Sequence, residues 1–425
     1  MNYITDRTIA PAITNEYAFH FLEPECVILA NGVTVYFIGG ARQEVIRIEL
    51  IYPAGNGYEP LNMLASVTND LLGEGTSSRS AEEINEYLDF FGAYLSRETS
   101  RDHAMIGLFS LTKNLPQVLP VLHDLIMDSV YPEHELQIYL NSRKARFLDG
   151  MKKTDYVCRN QFGRLLFGDH PYGRPLRIDD FEHVTQDKVL SFYNGFYRSS
   201  TPVVFVAGHI GEAEKELITR SMESLSTRPF GEKIEDLPGC VPTREKIHLE
   251  GSLQSAIRIG RKIIGMEHPD YPSLAISNTV LGGYFGSRLM KNIREQKGYT
   301  YGIGSGISSF EKTAMLVIAT EVGTEVTASA IDEIYKEIQV LRNQLIPEEE
   351  LITVKNYLLG NFLKGIDGPF AQADKIKSKI LRGLPANYYE NYLEKIRQVN
   401  ASQIRETVNQ YMQPDTLSEL IVGNV

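Results

Sequence analysis

Residues 131–148 read YPEHELQIYLNSRKARFL, and residues 346–363 read IPEEELITVKNYLLGNFL. Each stretch opens a helix on a P-E-x-E-L start, at Pro132 and Pro347, and each follows the same succession of elements. The pair therefore marks an internal duplication of roughly 200 residues. In the first copy, GVTVYFIGG (32–40) and EVIRIELIY (44–52) have the alternation of strands, with Ile46, Ile48 and Leu50 set against Arg47 and Glu49. They are expected to form a half-buried antiparallel pair. Ser80 and Glu83 make the S-x-x-E of a capping box, with Ile84, Tyr87, Leu88 and Phe91 following at helical spacing, which predicts a helix over about 80–91. GAYLSRETS (92–100) and HAMIGLFSL (103–111) read as strands, and Leu119, Leu122 and Ile126 share one face of the next helix.

The second copy repeats the order. SAIRIGRKI (255–263) alternates as a strand, YPSLAISNTVLGGYF (271–285) reads as a buried helix, and YTYGIGSGISSF and AMLVIAT follow as strands. Ile331, Ile334, Ile338 and Leu341 stripe a long helix before Pro347. Between the copies, STRPFGEKIEDLPGCVPTREK (226–246) has three prolines, two glycines and no sustained period, so it is read as a linker. The expected architecture is two similar α+β domains, hinged so as to enclose something between their inner faces.

Composition narrows the function. A net charge of −11, with Lys and Arg scattered along the chain, opposes binding to a phosphate backbone, and nucleic acid is excluded as a partner. No window approaches the ~18 apolar residues of a membrane span, and the first residues lack a basic start followed by an apolar run. A cytoplasmic, membrane-free protein is expected. Cys26, Cys158 and Cys240 have no C-x-x-C spacing and read as reduced structural thiols. His103, His170 and His209 form no i, i+4 pair and read as structural histidines.

The stretches GEGTSSRSAEEINEYLDFFGAYLSRETSRDH, GDHPYGRPL and LGGYFGSRLMKNIREQKGYTYGIGSG together resemble the insulinase, pitrilysin and mitochondrial-processing-peptidase family of inverzincin zinc metallopeptidases. The likeness runs over residues 20–425. It implies two duplicated α/β-sandwich domains of mostly antiparallel sheet with helices on one side, forming a LuxS/metallopeptidase-like bowl. The N-terminal peptidase-like domain would cover 1–225 and the C-terminal one 247–425.

Catalytic members carry H-x-x-E-H on the first helix, two His holding zinc and the Glu activating water. Counting back from Gly75 and Thr76, that motif falls on Ser66 to Asp70. Ser66 stands for the first His, Asn69 for the general base and Asp70 for the second His. The third ligand falls near Ala145 and Arg146, where there is no carboxylate. One carboxylate cannot build a three-ligand zinc site, and Asn69 has no lone pair basic enough to deprotonate water. No catalytic residue, metal ligand or cofactor is therefore expected in this chain, and zinc is expected in a partner.

Arg294 and Tyr301 stand seven residues apart around Gly298, at the spacing where the family places a substrate-holding Arg and Tyr. A guanidinium and a phenol can both donate to a peptide carbonyl. Residue chemistry alone would read Arg294 as a helix-end ion pair with Glu295 and Tyr301 as an ordinary strand aromatic; the family spacing assigns them to substrate binding. LGGYFGS (281–287) lies where the non-catalytic processing-peptidase subunit has a substrate-handling loop, although glycine pairs more often mark close packing. GAYLSRETS matches the edge strand to which catalytic members add substrate. The resemblance thus implies a non-catalytic subunit, inactive alone, that pairs with a homologous chain carrying H-x-x-E-H and holds peptide with Arg294 and Tyr301. A structural or peptide-binding protein of the same fold is the alternative, and a homodimer is open for the isolated chain.

Overall fold

The computed structural model describes residue 8 and residues 21–225, 227–228, 231 and 233–425; most of 1–20, with 226, 229, 230 and 232 of the segment read as a linker, lies outside them. Two sheets organise the chain. The first contains β1 (Glu25–Ile28), β2 (Thr34–Ile38), β3 (Val45–Tyr52), β4 (Tyr94–Thr99), β5 (Ala104–Leu111) and β6 (Val203–Gly208) in the order β1-β2-β6-β3-β5-β4. The second contains β7 (Arg244–His248), β8 (Gln254–Ile263), β9 (Ile303–Ser309), β10 (Ala314–Gly323) and β11 (Ser418–Gly423) in the order β7-β11-β8-β10-β9. With β1 set aside, the sheets have one topology. β2 runs parallel to β6 as β7 does to β11, and every other pairing is antiparallel. β7 takes Arg244 to Lys246, the end of the presumed linker, into the second sheet.

The expected pairing of β2 with β3 is not found, because β6 lies between them. The intervening VVFVAG is apolar almost throughout, as a strand covered on both faces should be. Local elements follow their sequence signals closely. Ser80 Oγ accepts from Glu83 N–H while Glu83 accepts from Ser80 N–H, which closes the capping box of the helix Ala81–Phe90. Pro132 and Pro347 stand immediately before the helices Glu133–Gly150 and Glu348–Lys364, where a missing N–H costs nothing.

Each half packs its own helices on one face of its sheet and receives a helix of the other half on the opposite face. From the first half, Thr154–Phe167 buries Val157, Cys158, Phe162, Leu165 and Leu166 with Ala256, Leu420 and Val422 of the second sheet. From the second half, Pro369–Leu381 buries Ala373 and Ile376 against Ile38, Ile51, Phe205 and Ala207 of the first. Each large apolar side chain so covered contributes about 1.5–3 kcal/mol.

This exchange explains why Arg47 and Glu49, whose alternation suggested a solvent face, are both buried. Arg47 bonds Asp374 at 2.7 Å and Phe370 O at 3.2 Å, and Lys377 Nζ lies 2.7 Å from Glu49. Four charges from two halves therefore neutralise one another where the helix meets the sheet. Among the described residues no helix is long and apolar enough to cross a membrane.

Candidate functional site

The helix Leu64–Asp70 begins at Met63, whose φ of 71° puts it in the left-handed region and whose side chain caps nothing. Glu59 does the capping: its Oε2 accepts from Ala65 N–H at 3.0 Å. Burial pushes the Glu59 carboxyl up to about 7 despite that bond and the nearby Arg174 and Arg143. The sequence reading missed it, although a carboxylate just ahead of a helix lacking a capping side chain was the available signal.

One face of this short helix serves the sheet. Asn69 is fully buried, and its Nδ2 donates to Glu98 O on β4 at 2.9 Å and to Met105 O on β5 at 3.2 Å. Its Oδ1 has no hydrogen-bond partner among the described residues. Asn69 is a tie between the helix and two strands.

The other face meets the helix Glu133–Gly150. Tyr139 donates its hydroxyl to Asp70, and Arg143 Nη1 donates to both Ser66 Oγ and Tyr139 Oη at 2.9 Å. Burial raises the Tyr139 phenol to about 12, so it remains a donor at neutral pH. The residues opposite Ser66 and Asp70 are therefore Tyr139 and Arg143, not Ala145 and Arg146. At 100° per residue Ala145 is turned away from the contact, while Arg146 shares the face two turns beyond Tyr139; both are exposed.

These side chains do not fit zinc. A closed or open zinc site needs three or more N, O or S donors free to converge on one point. Here a guanidinium nitrogen stands 2.9 Å from two of the oxygens, Asp70 is engaged by a phenol, and Asn69 faces the sheet. Among the described residues, no group of three or more His, Cys, Asp or Glu could hold a metal ion.

The histidines are scattered. His170 Nδ1 accepts from Tyr172 N–H at 3.1 Å and its Nε2 lies 3.2 Å from Glu235 O; burial lowers its pKa. His103 borders a cavity of about 470 Å³ between the halves and is also pushed down by burial, while His209 lies 3.3 Å from Ala41 O. All three cysteines are free, with Cys158 buried and Cys26 and Cys240 exposed.

In the second half, Arg294 lies in the π-helical segment Met290–Gln296, a winding found mostly as local bulges at functional sites. Its Cζ stands 5.7 Å from the Tyr301 ring centroid and 4.7 Å from that of Phe285. Arg294 has no ion pair among the described residues, so the alternative pairing with Glu295 is not formed. Tyr301 is 94% exposed and Phe285 66%, a large outlay of aromatic surface to water.

Phe285 is the member that the sequence reading left unnamed; its place within LGGYFGS, beside the Arg helix, was the clue. The glycines of that loop have a packing reason: a Cβ on Gly282 would stand 2.7 Å from Ser305 N of β9. β4, at one end of the first sheet, has an edge that pairs with no other strand among the described residues, as does β9 in the second.

Residues 183–358 match the family described as Peptidase M16 inactive domain. A protein of Rickettsia felis named an uncharacterized zinc protease is 24% identical over 93% of this chain and 97% of its own length. An uncharacterized zinc protease of Bacillus subtilis is 22% identical over 92% and 96%. The crystal structure of a peptidase M16 inactive domain from Pseudomonas fluorescens superposes with a TM-score of 0.87 at 21% identity, covering 95% of this chain and 99% of that one. The resemblance to the insulinase, pitrilysin and processing-peptidase family is borne out, and so is the duplicated α+β fold. Ser66, Asn69 and Asp70 stand at the three positions onto which that resemblance counts the metal motif.

Proposed function

We propose that this chain is the non-catalytic subunit of a two-chain zinc peptidase, and that it holds the peptide with Arg294 and Tyr301 while a homologous partner bearing H-x-x-E-H performs the hydrolysis. The observation that carries the reading is Arg294 itself. A guanidinium with no carboxylate partner among the described residues, close to two exposed aromatic rings, keeps its donors available for a peptide carbonyl. Phe285 and Tyr301 add apolar contact on either side. We place the pair in the cytoplasm, a reducing setting suited to three free thiols.

The test is purification of the tagged chain from its own cells, with zinc, co-purifying chains and chelator-sensitive peptide hydrolysis measured in the same sample. The reading expects a stoichiometric second chain that brings both metal and activity, and an Arg294→Ala complex that assembles but turns peptide over at least tenfold more slowly. A solitary, inactive chain sinks it. The second reading, a peptide-holding protein without a peptidase partner, is favoured by the network of Ser66, Asp70, Tyr139 and Arg143, which needs no metal to be complete.

A further inference from the structure

Arg101 and Arg382 approach consecutive residues at the end of β9. The Arg101 guanidinium lies over Phe310, its Cζ 4.4 Å from the ring centroid, and Arg382 Nη2 donates to Ser309 O at 2.8 Å. Both line the cavity of about 470 Å³ between the halves, together with His103. A guanidinium held by its face keeps its in-plane N–H groups for oxygen acceptors. Among the described residues Arg101 has neither an acceptor nor an ion pair, Arg382 has no ion pair, and the His103 ring has no hydrogen bond. Burial pushes Arg101 down against the pull of Tyr172 and Asp102; burial, helped by the Arg382 charge, pushes His103 down against Asp102 and Glu311. A partly buried cation without a counter-ion carries a cost that a bound anion removes.

The acidic groups on the walls fall into two sets. Asp102 already accepts from the Tyr172 hydroxyl and, at 3.0 Å, from Glu311 N–H, and Asp374 is held with Lys377 in the quartet with Arg47 and Glu49. Glu267 and Glu311 are exposed and make no ion pair among the described residues, whereas Arg101 and Arg382 are partly buried. The cavity is thus cationic within and anionic toward solvent, with Phe310 and Leu381 as apolar wall. Its volume falls in the ~300–1,000 Å³ range of small-molecule sites.

We infer that this cavity binds a small apolar zwitterion, a free amino acid or a dipeptide, whose carboxylate is held by Arg101 and Arg382 and whose ammonium lies against Glu267 or Glu311. A plain anion meets the glutamates and a plain cation meets the arginines, so only a ligand with both charges satisfies the walls. Arg101 and His103 come from the first half, and the other groups that hold the ligand from the second. Binding therefore joins the halves and stabilises the folded chain. The site is complete within one chain and stands independently of the two-chain reading.

The test uses the purified full-length chain, with leucine and leucyl-leucine as probes and N-acetylleucine and leucinamide as controls that each lack one charge. Binding is read by calorimetry, and backbone hydrogen exchange is followed at 100–103 and 309–311. At least one zwitterion should bind saturably, slow exchange in both turns and bind at least about tenfold more tightly than either control. The tighter of the two probes tells whether the ligand is a free amino acid or a dipeptide, and either answer upholds the site. Arg101→Gln is expected to melt like the parent and to bind about tenfold more weakly. Glu267→Gln combined with Glu311→Gln should weaken the zwitterion about threefold and leave N-acetylleucine no weaker. No saturable binding of either zwitterion, a control that binds as well, a turn left unprotected, or undiminished affinity in a folded Arg101→Gln chain each overturns the proposal. The exchange and control measurements use the parent alone, so they decide the matter even where a variant misfolds.

Discussion

The two halves handle the same helix differently. Aligning LLG (71–73) with VLG (280–282) sets Asn69 on Asn278, and the two asparagines behave alike. Asn278 Nδ2 donates to Ser305 O of β9 at 3.4 Å, as Asn69 does to β4, and both Oδ1 atoms are buried without a hydrogen-bond partner. On the opposite face the halves part. Ser66 and Asp70 correspond to Ala275 and Thr279, and, aligning Pro132 with Pro347, Tyr139 and Arg143 correspond to Val354 and Leu358. Three of the four second-half positions are apolar, and the fourth, Thr279, turns its hydroxyl back onto Ala275 O at 2.8 Å, so a polar network between these two helices is particular to the first half.

A second contrast concerns the next helix. In the first half it spans Ala81–Phe90, ends at Gly92 with φ 62°, and β4 begins at Tyr94. In the second half the helical turns over 288–296 stop, like those of the first, two residues before a glycine, Gly298 with φ 66°, but β9 begins only at Ile303. The longer connection comes from the later start of the strand, and Tyr301 lies in it. An exposed phenol near Arg294 is thus obtained by delaying a strand, with the helix end unchanged.

Breaking the junction between the halves should have the largest effect. Arg47→Ala leaves Glu49 buried beside Lys377 alone and should cost about 3–5 kcal/mol in chemical unfolding. Asn69→Asp and Asn278→Asp each turn a carboxylate toward strand carbonyl oxygens and should cost about 3 kcal/mol. Equal losses would sharpen the equivalence of the two asparagines; a harmless change in either half would break it.

Glu59 should give the first half a pH dependence of its own. Its native carboxyl titrates near 7 against an ordinary 4.5, so between those values the native state binds more protons than the unfolded chain. Its contribution is greatest below pH 4.5 and is lost as pH rises through 7, by about 3 kcal/mol. Glu59→Gln should remove that slope and raise the melting temperature at pH 8. Ser80→Ala should cost about 1 kcal/mol through the lost cap. Arg294→Ala should change stability least, by under about 0.5 kcal/mol, because among the described residues it leaves no charged partner behind, only two exposed rings.

The sequence made local order legible and long-range order less so. The capping box at Ser80, the alternation of β3 and the repeated P-E-x-E-L starts each depend on neighbours within a few residues, and they are found where expected. β6 slips between β2 and β3 from more than 150 residues downstream of β3, and no local pattern announces it. Arg47 and Glu49 were read as a wet face because the residues that cover them, Asp374 and Lys377, lie in the other half. At the candidate sites, counting back from Gly75 set Ser66, Asn69 and Asp70 within one stretch, and all three share the helix Leu64–Asp70. The residues facing them were misplaced because that count crossed several loops. Phe285 and Glu59 went unnoticed because burial and exposure, which give them their importance, are properties of the fold.

The exchanged helices constrain how the molecule can be made. During synthesis the second face of the first sheet must wait, uncovered, until Leu381 has left the ribosome, so the first half cannot complete itself as an autonomous domain. A half-length ancestor with this helix could have covered its own sheet only by trading the helix with a second copy of itself. The present chain has the form of such a swapped dimer made permanent by one peptide connection, which turns a concentration-dependent association into an internal one.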